Sequence, residues 1–220
     1  QEAASKESLR LAGQSEKGLA LTADIQEVKA IRSMVDATTL RFGKLDILVN
    51  CAAICLVDPI LEVTVERWDN VFAINARGAF FCMQEAAKVM IPQGKGRIIN
   101  ISTPASRMGF PNFVSYAASK AALDSMTRAA ALAWAPYGVT VNCIVPGQMT
   151  EGMITQLESN LARILDKTEG ELKSAKTQNL PMGRRVTPAE VAEAAVWLAS
   201  DAAAYVTGER FNFTGGVELA

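Results

Sequence analysis

Three short runs of aliphatic and β-branched residues, at 45–49 (LDILV), 97–101 (RIINI) and 139–145 (VTVNCIV), recur at intervals filled by helical periodicity. Strands this apolar are covered on both faces, and the intervening lengths suit crossover helices. The alternation therefore predicts an α/β chain built as a doubly wound parallel sheet with helices on both sides.

Smaller signals fill in the elements. Residues 19–23 are expected to form a short strand. Asp24 then looks like a helix N-cap with Glu27 three residues on, as in a capping box. That helix continues through Val28, Ile31, Met34 and Val35 until Gly43 ends it. A long helix over 65–90, interrupted near Asn75 and Gly78, closes at Pro92 and Gly94. Another spans 115–134, and Pro146-Gly147 stops the VTVNCIV strand. Residues 151–176 look helical and polar, broken at Gly170. Thr187-Pro-Ala-Glu190 is a second capping box, leading a helix over 191–199. A last strand at 210–213 precedes Gly215-Gly216. No repeats or linkers divide residues 1–220, so a single domain is expected.

Composition removes several classes of function. Half of the 220 residues are hydrophobic, enough for a sizeable core, and the net charge of -1 carries no footprint for nucleic acid or an anionic membrane. Cys51 and Cys55 are spaced C-x3-C, but the chain has no His and no second cysteine pair, which argues against a zinc site. Cys51, Cys55, Cys82 and Cys143 are expected as reduced, buried thiols. No run of 18 apolar residues or signal-peptide pattern occurs, so a cytoplasmic protein is expected. Without His, acid–base chemistry falls to Tyr, Lys, Cys or carboxylates.

One pair stands out. Tyr116 and Lys120 are four residues apart, which on a helix puts them on one face. An ordinary phenol titrates near pH 10, and an adjacent ammonium lowers that value; reaching about 7 takes roughly 4 kcal/mol. The spacing alone equally describes a surface Tyr–Lys contact. Its context adds weight: Thr103 sits thirteen residues earlier, at the end of the RIINI strand, and strand ends of parallel sheets are where ligands bind.

With these landmarks in order, the chain resembles the short-chain dehydrogenase/reductase family, the Tyr-x-x-x-Lys oxidoreductases. Asp24 after the first strand, Asn50-Cys-Ala-Ala53, Asn75 within Phe72-Ala-Ile-Asn-Ala, Thr103, Tyr116-x-x-x-Lys120 and Pro146-Gly147 match the family's sequence of motifs. The resemblance implies a Rossmann-like domain that moves a hydride between NAD or NADP and a secondary alcohol or ketone. It implies catalytic roles for Asn75, Thr103, Tyr116 and Lys120. Tyr116 would exchange the proton, Lys120 would lower its pKa and hold the nicotinamide ribose, and Thr103 would orient the substrate oxygen. Asn75 would bend its helix and connect Lys120 to solvent through water. Asp24, Ile25, Asn50, Ala52, Tyr116, Lys120, Pro146, Gly147 and Met149 would contact the cofactor. No metal is implied. Residues 148–180 would form a substrate lid carrying Met149, Met153, Ile154 and Leu157 among polar residues. Met108 and Phe110 would line the pocket, and the long helices would assemble a homotetramer or a dimer.

The departures are specific. Nothing like Gly-x-x-x-Gly-x-Gly precedes Gly43, so the first βαβ unit, the seat of the pyrophosphate, is expected to be lacking, and residues 1–11 read as a helix that follows the second strand. Thr103 stands where the family usually has Ser, and Ala53 where it has Gly. Cys51 in the altered turn is expected to be buried. Ser102 should face away from Thr103. Glu151 takes the place of a carboxamide-binding Thr, with Thr150 one position early. These departures keep a second reading open: a non-catalytic binding or assembly protein on the same scaffold.

Overall fold

A computed structural model describes residues 18–219. Residues 1–11, expected to be helical, lie outside them. In chain order the regular elements are α1 (Val28–Phe42), β1 (Ile47–Asn50), α2 (Val65–Phe72), a π-helical segment (Ala73–Gly78), α3 (Ala79–Gln93) and β2 (Gly96–Ile101). Then come α4 (Val114–Trp134), β3 (Val139–Pro146), α5 (Met153–Ile164), α6 (Glu169–Gln178), α7 (Pro188–Ala199) and β4 (Arg210–Phe213).

The four strands form one parallel sheet in the order β1-β2-β3-β4. Side chains alternate across it as a pleated strand requires. Ile98, Val139 and Val141 pack with Met83, Ala86 and Met90 of α3 and Leu123, Ala130 and Ala131 of α4. Ile99 and Ile144, one residue out of phase, pack against Val191, Ala194 and Leu198 of α7. Helices thus cover both faces, as the alternation of apolar runs predicts. β3 is buried along its whole length, while Ile47 and Val49 of β1 are exposed.

The punctuation signals hold at most ends. Gly43 and Gly94 close α1 and α3 in the left-handed conformation, and Thr187 with Glu190 forms the capping box of α7. Three expectations need correction. Residues 18–24 form no strand. The Asp24 side chain does not cap α1; its Oδ1 accepts from Gln26 N at 2.9 Å, making a local turn, and the helix begins at Val28. The break within 151–176 is not at Gly170, which lies in the first turn of α6, but at 165–168, where Asp166 adopts φ 51°.

Candidate active site

The predicted residues gather where β1, β2 and β3 end. β2 delivers Thr103 just beyond Ile101, α4 delivers Tyr116 and Lys120 from its first two turns, and the π segment delivers Asn75. Lys120 is buried, its Nζ lies 6.0 Å from the centre of the Tyr116 ring and donates to Ile101 O at 2.6 Å. The Thr103 hydroxyl accepts from Ala105 N at 3.3 Å and lies close enough to the Tyr116 side chain to act on its pKa. One helix face and one strand end therefore bring a phenol, an ammonium and a hydroxyl together.

Asn75 explains the interruption of the long helix. Its Oδ1 accepts from Ile54 N at 2.9 Å, and its Nδ2 donates to Ile54 O at 2.8 Å and to Ser119 Oγ at 3.1 Å. The amide thus clamps the loop after β1 onto α4, and the π segment supplies the extra residue that turns Asn75 inward. Gly78 serves the same place. A Cβ there would lie 2.7 Å from Ile25 O, so only glycine lets the Asp24-Ile25 loop rest on this helix.

The electrostatics correct one expectation. Tyr116 is not made acidic by the protein: burial pushes its pKa up, Cys55 adds to the rise, and the nearby Thr103 hydroxyl opposes it. Lys120 instead yields to its own burial, which brings its ammonium down to about 8 despite Cys143, Cys51, Asp124 and Cys55. The phenol is held in its neutral, proton-donating form.

The Asn50 side chain is engaged within the fold. Its Nδ2 donates to Asn100 Oδ1 at 2.8 Å and Ala79 O at 3.2 Å, so its side chain pins β1 to β2 and α3. Ala52 is exposed beside it, and so is Cys51, which corrects the expectation of a buried thiol. Cys55 is half-buried; only Cys82 and Cys143 lie in the core. Beyond β3, a Cβ on Gly147 would lie 2.9 Å from Thr214 O, so the turn has room for glycine alone. Val186 pairs with Met149 by accepting from Thr150 N and donating to Gln148 O, both at 3.0 Å. That parallel pattern turns the Met149 N–H away from Val186.

Sequence reasoning missed Ser119, Asp124 and Arg210. Ser119 links Asn75 to Tyr116 O. Asp124 accepts from Ser102, Ser106 and Arg210. The signal for Asp124 was present: it continues the four-residue spacing of Tyr116 and Lys120 on the same face of α4. Ser102 is engaged by Asp124 and is not a stand-in for Thr103.

The donor set suits the ribose–nicotinamide end of a dinucleotide. Lys120 has three N–H donors, and among the described residues only Ile101 O takes one. Ribose hydroxyls match the remainder. When bound, a nicotinamide supplies or accepts the hydride.

Comparison with known proteins agrees with this geometry. Residues 1–218 match the family model described as enoyl-(acyl carrier protein) reductase. Galactitol 2-dehydrogenase of Agrobacterium fabrum is 37% identical over 198 residues, 90% of this chain and 77% of its own. An actinorhodin polyketide ketoreductase solved with NADPH superposes with a TM-score of 0.89 at 32% identity, covering 98% of this chain and 82% of that one. NAD+-bound xylitol dehydrogenase gives 0.84 at 28%, covering 89% and 78%. Strand ends, helix face and relatives agree that the chain belongs to the short-chain dehydrogenase/reductase family, the NAD- or NADP-dependent oxidoreductases of alcohols and ketones.

Proposed function

We propose that the chain is a cytoplasmic polyol or secondary-alcohol dehydrogenase that also reduces the corresponding ketone. The observation that carries this reading is the hydroxyl pair of Thr103 and Tyr116 beside the buried Lys120. In reduction, neutral Tyr116 donates its proton to the substrate oxygen while Thr103 holds that oxygen in place. Lys120 stabilises the phenolate left behind, and water held at the π segment beside Asn75 returns the proton from solvent. Oxidation runs the same steps backwards.

Lys120 holds the nicotinamide ribose. Met149, with the Pro146-Gly147 turn, fixes the carboxamide. Asp24 and Ile25 flank the adenine, and the backbone at Asn50 and Ala52 lies along the cofactor. Residues 148–180 act as the lid, where Met153 and Leu157 alternate with Gln148, Glu151 and Gln156. That mixture suits a substrate with several hydroxyls along a carbon chain, and galactitol and xylitol dehydrogenases among the similar proteins support this class.

The test is turnover of NAD+ and NADP+ with a panel of sugar alcohols, read as absorbance of the reduced cofactor. Tyr116→Phe should abolish turnover with little change in melting temperature. Retained activity would remove Tyr116 from the reaction.

A further inference from the structure

Behind Thr103 lies a knot of buried charge that the proposed chemistry leaves unused. The side chains of Asp124, Arg210 and Glu218 are 6%, 6% and 7% exposed. Arg210, the first residue of β4, donates from Nε to Asp124 Oδ2 at 3.0 Å and from both terminal nitrogens to Glu218, at 2.6 and 2.5 Å. It also reaches Asn212 Oδ1. A buried salt bridge is a poor device for stability alone, because desolvating the charges consumes most of what their attraction returns.

The remaining bonds of the knot converge on the turn that carries Thr103. Arg210 donates to Thr103 O at 3.0 Å and Ser106 Oγ at 3.1 Å. Ser106 Oγ contacts Thr103 O at 2.9 Å and Asp124 Oδ2 at 2.7 Å. Ser102 donates to the other Asp124 oxygen at 2.5 Å. The backbone on both sides of Thr103 is thus bolted to Asp124, two turns along α4 from Tyr116. Thr103 and Tyr116 are held by one rigid path, although they come from different elements.

We infer that Arg210 is a positioning residue for Thr103: with Asp124 and Ser106 it locks the Thr103 carbonyl so that the hydroxyl meets the substrate oxygen together with Tyr116. The inference rests on the dehydrogenase reading above. Hydroxyl placement matters because small misplacements of an orienting group cost large factors in rate.

A double-mutant cycle tests it. Arg210→Lys keeps the charge but loses the fork that reaches Asp124, Glu218 and Thr103 at once. It should lower kcat about tenfold or more with KM nearly unchanged, and by less than about twofold in a Thr103→Ala background, since a path through Thr103 has nothing left to position. Additive losses would overturn the inference. Independently of turnover, carbon–carbon and carbon–nitrogen couplings of the labelled Thr103 methyl should report one χ1 rotamer in the native protein and averaging in Arg210→Lys. An unmoved rotamer also overturns it. Should Arg210→Lys not fold, Ser106→Ala takes its place in both the cycle and the rotamer measurement, and additive losses or an unmoved rotamer overturn the inference there as well. Failure of the dehydrogenase reading would appear instead as turnover retained in Tyr116→Phe, and the rotamer measurement still decides the positioning.

Discussion

Lys120 sits at the centre of the site at a cost the protein would not otherwise bear. Burial brings its pKa from 10.5 to about 8, so below pH 8 it is charged in both folded and unfolded chains and the desolvation penalty is fully present. Between 8 and 10.5 the unfolded chain binds more protons, and this term stabilises the fold as pH rises. Above about 9 the half-buried and buried thiols work the other way. Burial raises Cys55 to about 12, Cys82 to about 11 and Cys143 to about 12, so their stabilisation is lost as pH climbs through those values. Lys120→Met should therefore be inactive yet more stable at neutral pH. A shift of this size corresponds to roughly 3 kcal/mol, less about 1 for the lost bond to Ile101 O. The variant should also lose the rise in stability between pH 8 and 9, read by urea titration; a less stable Lys120→Met would contradict the assignment. The same titration limits activity. Ketone reduction should fall above about pH 8 as the ammonium disappears, and in Lys120→Arg the falling limb should move beyond the measured range.

The elements show where sequence is informative. Strands 97–101 and 139–145 were legible because every residue in them is apolar or pairs inside the sheet, and the four-residue Tyr–Lys spacing survives translation into a helix unchanged. Asp24 was misread because an acidic residue before a helical run satisfies the capping rule whether it bonds to N2 of the helix or to its own turn. Arg210 was hidden because its partners, Thr103, Asp124 and Glu218, are brought to it by the sheet and not by spacing. Arg185 was hidden in the same way. It forms a buried two-point pair with Glu158 of α5, at 3.2 and 2.6 Å, and touches Thr177 of α6 and Met149 O. One guanidinium thus fastens the helices proposed as the lid to the residue proposed to hold the carboxamide. Arg185→Met should lower the melting temperature, since unpairing a buried carboxylate costs about 3–5 kcal/mol. It should also raise KM. Adding Glu158→Met should recover the melting temperature but leave KM high, because the apolar pair repacks without fastening Met149. Recovery of both would make the pair merely structural.

At the scale of the whole molecule, exposed apolar side chains occur on both helical layers, and three of them lie away from the ends of β1, β2 and β3. Leu132 is 81% exposed on α4, in the outer layer beside α2. Val196 on α7 and Tyr205 just before β4 are 63% and 102% exposed, on the opposite side of the sheet. Scattered exposed hydrophobics need no explanation by themselves, but the homotetramer that the family resemblance implies needs two different two-fold interfaces, and these two layers are the surfaces to test. A dimer needs only one of them. Among the described residues, none of Leu132, Val196 and Tyr205 bonds to Tyr116 or Lys120, so substitutions there test association without altering the site's hydrogen bonds. Leu132→Asp and the pair Val196→Asp/Tyr205→Asp should each convert a homotetramer into a dimer in sedimentation velocity, and all three together should give a monomer. If the native chain is instead a dimer, one of the two sets should leave its sedimentation unchanged, which identifies the surface in use. No change with either set would place the interface elsewhere.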